Sequence, residues 1–580
     1  MITQKIYHIG FLIIVCLVLF LPANVMDVMA WKLLSGRMEN LFAAIGIAVV
    51  FLQFKCIRQP IQYIGKTASK MVAVLPDGWL IFVLALLFFL MTCNLSGTLF
   101  GHLPHIADSQ AHYVQAKIFA SGHLAAPKHP LQYFFPIEWF AGTNNYYSVY
   151  PPGHAFMLAL GLLIGLPWII NPLMGSLFIV AIYFLGREIG NRVTGYISMF
   201  LAIVSPFVVF MSSEYMSHAT ALLMLTLFVL FYIRMLKYRR WQDAVFAGLA
   251  LGYLGLTRPQ CVMILAIFYV FHALWMCFSR FRQYAWLNLL IAVSALPFFC
   301  VFLYHNWFMT GNPFTSGYGP INNSVLYTWL RPGSKWHIFP VEDFTRAAIQ
   351  IGILNVEFFC WPIPSFALIA VLLLMQEKAS YSSILLGTVL ANFFGLTLIA
   401  INGLNIFSAR YLYEVSGMVI VLSALALQRI PAMAQRYFFP AVSLYTWSGT
   451  LILTCLSFTI AGFYGRTGEI YRVYGHHYWE GNADYYNKIM AEITTPALVF
   501  IQDYNQLRYV ITAMPTNDKS PVIFALNIPD KNQRLMAYYP DRHVYSVAGN
   551  VTQQRQLGGV KYDMGGCLPD VAGYSIIQIK

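Results

Sequence analysis

Many separate, uninterrupted apolar runs of about 15–20 residues constrain this chain more than any other feature, because each could cross a hydrocarbon core. The runs are rich in Leu, Ile and Phe and do not alternate with polar residues, which favours helices over a closed barrel. Only 10% of the residues are charged, whereas soluble proteins contain roughly 25%. The sequence predicts an all-α polytopic membrane protein with about thirteen transmembrane helices. We expect these helices near 9–26, 41–55, 79–97, 172–186, 194–211, 218–236, 242–257, 259–278, 285–304, 360–375, 382–401, 411–428 and 437–462.

The net charge of +13 follows the positive-inside rule and does not require a nucleic-acid partner. The predicted inner loops contain fifteen basic residues but only three acids, Glu188, Asp243 and Glu377. Residues 152–170 are apolar enough to span, but a span there would turn every later basic loop outward. We therefore expect this segment to lie in the outer membrane interface as a helix. The basic residues are Lys55, Arg58, Lys66, Lys70, Arg187, Arg192, Arg234, Lys237, Arg239, Arg240, Arg280, Arg282, Lys378, Arg429 and Arg436.

Three units are predicted along the chain. Residues 1–78 form a transmembrane hairpin with a basic cytoplasmic loop, 79–462 a transmembrane module, and 463–580 a soluble domain outside the membrane. The module has long outer loops at 98–170 and 305–358. The last unit is mixed in polarity, and its β-rich runs and helical stretch predict a small α/β fold. The β-rich runs lie at 496–502, 521–527 and 543–548, and the helical stretch lies at 532–539.

Ionisable residues at the outer helix ends are the candidates for chemistry, because charges near a membrane core are costly and rare. Asp108 begins a short amphipathic stretch, where it could cap a helix or serve as a base. Glu214 and His218 are four residues apart, so they could bond to each other. Alternatively, Glu214 could be a second acid and His218 a hydrogen-bond donor to an anionic group. Arg258 could snorkel to the interface or bind phosphate. Arg410 lies at the mouth of a later span.

Five motifs, weak singly, become informative through their order and spacing. They are D-S-Q-A-H-Y at 108–113, Y-P-P-G-H at 150–154, T-R-P-Q at 257–260, T-G-N-P-F at 310–314 and S-A-R-Y-L-Y-E at 408–414. With these motifs the chain resembles the bacterial membrane glycosyltransferases of the GT-C superfamily, in the branch related to protein O-mannosyltransferases. Lipid A aminoarabinose transferase and lipopolysaccharide-core galacturonosyltransferases belong to that branch. The resemblance covers roughly residues 79–430.

The resemblance implies that a sugar moves, with inversion, from a polyprenyl-phosphate lipid to an acceptor in the cell envelope. The acceptor would be lipopolysaccharide or lipid A, another glycan, or a protein. The reaction would take place on the periplasmic face of the bacterial inner membrane, where the last unit would also lie. Asp108 would be the general base and Glu214 a second acid. Arg258, Arg410, Tyr411 and His218 would hold the donor phosphate, and further candidates for substrate binding are His112, His154, His305 and Asn306.

Two departures from the family pattern and several alternatives remain. Position 109 is Ser where many relatives have Glu, and position 150 is Tyr where some have Lys. No cofactor is required, but a divalent metal is an alternative, since His102, His105 and Asp108 are spaced three residues apart without an established ligand pattern. A glycan polymerase or ligase would use a diphosphate lipid instead. A flippase or transporter would favour inverted repeats and charges at the bilayer midplane.

Overall fold

Helices dominate the computed structural model, which describes residues 55–317 with gaps at 75, 105, 137–139 and 143–144. It also describes 341–375, 381–399, 409–437, 440–462, 489–502, 507, 510, 520–552 and 570–580. The helices up to the first long gap are α1 Lys55–Val74, α2 Asp77–Thr98, α3 Ala107–Ala120, α4 Pro152–Leu163, α5 Ile170–Ile189, α6 Arg192–Val204, α7 Pro206–Met211, α8 His218–Tyr238, α9 Trp241–Thr257 and α10 Pro259–Thr310. The later ones are α11 Val341–Glu357, α12 Ala367–Leu374, α13 Ser382–Ile399, α14 Ser416–Tyr437, α15 Leu444–Gly462 and α16 Asn532–Tyr538.

The helical membrane fold predicted from the sequence is confirmed. Within the described ranges, seven helical segments are long and apolar enough to cross a membrane. They are Asp77–Thr98, Pro167–Ile189, His218–Tyr238, Pro259–Phe281, Gln283–Thr310, Arg410–Tyr437 and Leu444–Gly462. The two spans predicted before residue 55 lie outside the described residues.

Helix α4 is too short to cross a bilayer. Its 12 residues rise about 18 Å, against a hydrocarbon core of about 30 Å. A turn and a short 3-10 helix, Pro167–Ile169, separate it from α5. That residues 152–170 lie along the membrane interface stays a prediction.

The helices differ from the predicted elements in three places. The predicted span 360–375 is helical only in α12, because Pro362 and Pro364 interrupt the segment between α11 and α12. Part of the predicted loop 305–358 is the helix α11. The predicted basic loop contains the helix α1, whose Gly65 lies so close to α15 that an added Cβ would come within 2.0 Å of the Tyr445 carbonyl oxygen.

Ion pairs connect several helix ends at the end of the bundle opposite the α8 N-terminus. They join the start of α2 to α5 and α6, and the end of α8 to α5 and α9. Helix α8 has 21 residues and is about 30 Å long, so this basic end is one hydrocarbon thickness away from His218. The pairs are Asp77 with Arg187 and Arg192, Arg234 with Glu188 and Asp243, and Lys237 with Glu188.

Two small sheets complete the fold. The first joins β1 Ala126–Pro127, β2 Phe140–Ala141 and β3 Asn145–Ser148 in the order β1-β3-β2, with antiparallel pairing. The second has the order β5-β4-β6-β7, with β4 parallel to β5 and β6 and with β7 antiparallel to β6. Its strands β4, β5 and β6 begin within a residue of the predicted β-rich runs. They are β4 Ala497–Ile501, β5 Val522–Leu526, β6 His543–Thr552 and β7 Asp570–Gln578.

The second sheet packs against the segment between β1 and β2. Phe134 is fully buried, and its ring centroid lies 6.2 Å from that of Phe500 in β4. His129 Nε2 lies 3.1 Å from the Tyr539 hydroxyl, just after α16. The C-terminal sheet is therefore attached to the loop that leads from α3 to α4.

Candidate active site

Asp108 lies in the first turn of α3, and its carboxylate points away from the helix cap. Ile106 is the N-cap residue, and the Ser109 hydroxyl closes that cap by accepting from Ile106 N at 3.2 Å and donating to Ile106 O at 2.9 Å. Of the two alternatives for Asp108, the one in which it is the N-cap residue is therefore wrong. Its carboxylate is free to contact other elements, and Ser109, which stands where many relatives have an acid, has a local structural role.

Tyr150 is the first partner of Asp108. Its hydroxyl donates to Asp108 Oδ1 at 2.6 Å. The side chain of Gln115 in α3 fixes the approach of this tyrosine, because Gln115 Oε1 accepts from Ser148 N at 2.9 Å. The hydroxyl of Ser148 in turn accepts from Tyr150 N at 3.3 Å. Strand β3 and helix α3 together thus place a phenol, instead of a lysine, on the carboxylate.

Arg410 is the second partner and comes from a distant part of the chain. It begins a 3-10 helix, Arg410–Val415, that precedes α14, and its Nη1 donates to Asp108 Oδ2 at 3.0 Å. Both carboxylate oxygens of Asp108 therefore accept a hydrogen bond. Asp108 is still partly exposed, whereas the arginine side chain is buried. The site thus offers its carboxylate, and not its guanidinium, to solvent.

Glu214 lies beside this pair in the turn between α7 and α8 and is 2% exposed. Burial raises the pKa of Glu214 to about 8, a net value to which Arg410 contributes a lowering effect and the negative charge of Asp108 a smaller raising effect. Its Oε1 has no hydrogen-bond partner among the described residues, and neither has Arg410 Nε. Buried polar atoms without partners are rare, so these two atoms are candidates for hydrogen bonds to a ligand.

Arg258 forms a second cluster of buried charges. It occupies the break between α9 and α10, and its Nε lies 2.7 Å from Glu414 Oε1. His218 Nδ1 lies 2.9 Å from the same oxygen, and His218 Nε2 lies 3.3 Å from Arg258 Nη1. The expected Glu214–His218 bond is not formed, because Glu214 precedes the first turn of α8. Arg258 is only 7% exposed, so it does not snorkel to an interface.

The ring of Tyr411 connects the two clusters. The guanidinium carbon of Arg258 lies 5.5 Å from its centroid and that of Arg410 lies 5.1 Å from it, both within cation–π distance. Tyr411 is partly exposed, as are Asp108 and Tyr150. These three side chains form the accessible face of the site, with the buried arginines behind them.

The other predicted residues are placed differently. His154 is buried with both nitrogens occupied, since Nε2 donates to Tyr215 O at 2.9 Å and Nδ1 lies 3.0 Å from the Thr220 hydroxyl. His112 packs its ring against Tyr150 at 4.6 Å, and burial lowers the pKa of His112. Asn306 Nδ2 donates to Pro313 O at 3.1 Å, in the turn after α10. His305 is buried, and neither ring nitrogen has a partner among the described residues.

Metal ligation is not evident in the described part of the chain. No group of three or more His, Cys, Asp or Glu side chains there could hold a metal ion. His102 stacks on Trp168, with ring centroids 4.1 Å apart, and His105 lies outside the described residues. The prediction about metal dependence stays a prediction.

Comparison with known families identifies the class of protein. Residues 149–305 match the family model described as dolichyl-phosphate-mannose-protein mannosyltransferase, which is less than a third of the chain. The match includes Tyr150, Glu214, His218 and Arg258. It confirms the class predicted from the sequence, a membrane glycosyltransferase of the GT-C type.

Solved structures of such enzymes resemble the chain at low identity. ArnT from Cupriavidus metallidurans bound to undecaprenyl phosphate has a TM-score of 0.49 at 13% identity, covering 82% of this chain and 94% of that one. The oligosaccharyltransferase of Archaeoglobus fulgidus has a TM-score of 0.39 at 13% identity, covering 80% and 69%. The mycobacterial arabinofuranosyltransferase AftD has a TM-score of 0.39 at 15% identity, covering 82% and 35%. No curated protein sequence is similar enough to count as a match.

Two residues of the site were not among the predicted site residues. Tyr150 was noticed only as a departure from the family pattern, and Glu414 only as a neighbour of Arg410. A signal existed for Glu414, because an acid at the fourth residue of the predicted span 411–428 needs a buried partner. No signal in the sequence connects it to Arg258.

Proposed function

We propose that the chain transfers a sugar from a polyprenyl-phosphate lipid to an acceptor of the cell envelope on the periplasmic face of the bacterial inner membrane. The observation that carries this proposal is the partly exposed Asp108 carboxylate on the buried Arg410, with the buried Arg258 within cation–π distance of the same Tyr411 ring. A base for a hydroxyl and cations for a phosphate are the two groups that such a transfer needs. The opposite, basic end supports a cytoplasmic location for the other helix ends.

In the proposed reaction Asp108 accepts the proton of the acceptor hydroxyl while the acceptor oxygen attacks the anomeric carbon of the sugar. The bond between this carbon and the phosphate oxygen breaks, and the lipid phosphate leaves with the electron pair. Attack from the face opposite the phosphate inverts the anomeric configuration. Arg258 and Arg410, without a metal, stabilise the charge on the leaving phosphate. Protonated Glu214 donates a hydrogen bond to a phosphate oxygen.

Both carboxylate oxygens of Asp108 already accept a hydrogen bond, one from the Tyr150 phenol and one from the Arg410 guanidinium. An acceptor hydroxyl that bonds to Oδ2 therefore has to take the place of the guanidinium. The phosphate of the donor is a second anion for Arg410, so it draws the guanidinium away and releases Asp108 Oδ2. The donor therefore activates the base, and we expect the donor to bind before the acceptor.

The charge of the cluster supports a donor with one phosphate. Arg258 and Arg410 contribute two positive charges, and Glu414 and Asp108 contribute two negative charges. A sugar phosphodiester adds a single negative charge to this balanced set, whereas a diphosphate lipid adds two. A diphosphate would therefore leave twice as much uncompensated negative charge in the site, which argues against the glycan polymerase or ligase.

A comparison of cell envelopes tests the proposal and identifies the sugar and the acceptor. A deletion strain is complemented with the wild-type chain, with Asp108→Asn, or with the matched control Asp541→Asn, whose aspartate lies on the C-terminal domain. Mass spectrometry is then applied to lipopolysaccharide, lipid A, other envelope glycans and membrane glycoproteins. We expect one sugar mass to be lost on deletion and restored by the wild type and by the control. Because a general base contributes about 10²- to 10⁴-fold, Asp108→Asn should not restore it.

Two outcomes would contradict the proposal. Full restoration of the sugar by Asp108→Asn would remove Asp108 as the base. An unchanged envelope in the deletion strain, together with loss of a polyprenyl-linked intermediate from the outer leaflet, would indicate a flippase instead.

A further inference from the structure

Arg258 is a buried cation whose position depends on two neighbours. It is 7% exposed and lies where the backbone leaves the helical conformation, with φ −143° and ψ 78°, just before Pro259. A break of this kind does not by itself fix a long side chain. Because a buried guanidinium is costly unless it is paired, its partners determine both its orientation and its charge balance.

The partners are Glu414 and His218, and they form a closed set with Arg258. Glu414 is 2% exposed, and its Oε1 faces both Arg258 Nε at 2.7 Å and His218 Nδ1 at 2.9 Å. A carboxylate only accepts, so the ring proton of His218 lies on Nδ1. His218 Nε2 then has a free lone pair and accepts from Arg258 Nη1 at 3.3 Å. Both nitrogens of His218 are therefore used within the set.

We infer that Glu414 and His218 are positioning residues, which orient Arg258 and limit the positive charge it presents to the donor phosphate without contacting the substrate. The inference rests on the proposed function. It changes the role of His218, which the sequence predicted to hold the phosphate directly. Arg258 Nη1 also donates to the Ser217 hydroxyl at 3.2 Å, whereas Nε lies at ion-pair distance from Glu414 without forming a hydrogen bond among the described residues. Nη2 is the nitrogen that the protein leaves for a ligand.

The charge of Glu414 also bears on product release. The leaving lipid phosphate is more negative than the donor phosphodiester, and an unpaired arginine would bind it more tightly. Glu414 offsets this attraction, since opposite charges at about 4 Å interact strongly when they are shielded from water. We therefore expect Glu414→Gln to strengthen binding of the lipid phosphate and to slow turnover. An unfolded or loosened site would instead weaken binding of the lipid phosphate as well as slow turnover.

A double-mutant cycle measures this dependence directly. The binding of undecaprenyl phosphate to purified protein in detergent is measured by calorimetry for the wild type, Arg258→Gln, Glu414→Gln and the double variant, and neutral undecaprenol corrects for tail binding. We expect Glu414→Gln to bind at least threefold more tightly than the wild type and Arg258→Gln to bind more weakly. In the Arg258→Gln background the Glu414 change should have no effect. Glu188→Gln, an acid paired with Arg234 at the basic end, is the matched control and should leave the affinity unchanged.

A conservative variant covers the case in which Glu414→Gln does not fold. Glu414→Asp keeps the charge but withdraws the carboxylate by one methylene. We expect it to bind undecaprenyl phosphate within twofold of the wild type while kcat falls and KM for the donor changes little, because the charge is kept and the position is lost. Unchanged kcat in this variant would contradict positioning.

The failures of the two proposals are distinguishable. If Glu414→Gln changes the affinity for undecaprenyl phosphate equally with and without Arg258, the positioning role is overturned and the proposed function is left intact. Absence of saturable binding of undecaprenyl phosphate to the wild type would instead count against the proposed function.

Discussion

Glu214→Gln tests the raised pKa of the buried Glu214 carboxyl, and this test does not require the substrate to be known. Glu214 is 2% exposed, and burial raises the pKa of its carboxyl from 4.5 to about 8. The folded protein therefore binds a proton between pH 4.5 and 8 that the unfolded chain has released. Because the folded-state pKa is the higher one, the stabilisation is complete below pH 4.5 and is lost as the pH rises to about 8.

The magnitude follows from the width of this window. Each pH unit within it changes the free energy of unfolding by about 1.4 kcal/mol, so the change from pH 5 to pH 8 is on the order of 4 kcal/mol. Glu214→Gln has no proton to lose and keeps an amide donor at the same place. The wild type should therefore lose stability relative to this variant over that range.

Thermal unfolding in detergent, followed at pH 5 and pH 8, is the assay. Burial also lowers the pKa of Lys117 to about 8, but this base acts between pH 8 and 10.5 and with the opposite sign, so it does not mimic Glu214. If the stability of the wild type and that of Glu214→Gln change equally between pH 5 and pH 8, Glu214 is not a buried, protonated carboxyl.

Transfer activity gives a second measure of the same proton. With a pKa of about 8, Glu214 is about nine-tenths protonated at pH 7 and about one-tenth protonated at pH 9. If the protonated form donates to the donor phosphate, the rate should fall about tenfold over that interval. Glu214→Gln should not show this fall, and Glu214→Ala should be slow at every pH. A fall that persists in Glu214→Gln would mean that another group titrates.

Three further predictions concern the phenol, the order of binding and the topology. Tyr150→Phe removes a hydrogen bond to the Asp108 carboxylate, which is worth about 1.5–3 kcal/mol. The value of kcat should therefore fall by about 10- to 100-fold, with little change in KM for the donor. A larger effect on KM would mean that Tyr150 contacts the donor. Initial-rate kinetics should show ordered addition, with donor first, and random addition would contradict the release of Asp108 by Arg410. Cysteines introduced at 187–192 should react with an impermeant reagent only from the cytoplasmic side, and labelling only from outside would overturn the proposed orientation.

Apolar runs and turn residues were sufficient to predict most of the fold. The long spans and the C-terminal strands are local features, set by hydropathy and by side-chain pattern within one segment. The segment 360–375 misled because its composition is apolar throughout, and the two prolines that interrupt it were not weighed against that composition. Helix α1 was missed because many charges were interpreted as a loop, although basic residues on one face also suit an amphipathic helix.

The candidate site was predictable residue by residue but not as an arrangement. A charge at the end of an apolar span is costly, so it indicates a function. This argument identified Asp108, Glu214, Arg258 and Arg410. Which acid pairs with which arginine depends on packing between segments up to about 300 residues apart, as Asp108 and Arg410 show. Hydropathy contains no information about such distances. The expected helical pair of Glu214 and His218 failed for this reason, since the nearest acid to His218 came from another helix.

The pairing explains how a buried site can hold two arginines before any phosphate is bound. Each guanidinium has its own carboxylate, and only one of the two carboxylates, Asp108, is partly exposed. Glu414 is buried with Arg258, and the positioning role that we infer for it would keep that cation in place through the proposed reaction. Asp108 is the exchangeable partner, because a phosphate can replace it on Arg410 at little electrostatic cost. In the proposed reaction Asp108 therefore stays paired with Arg410 until the donor arrives, and Arg410 changes its anionic partner while Arg258 keeps its own.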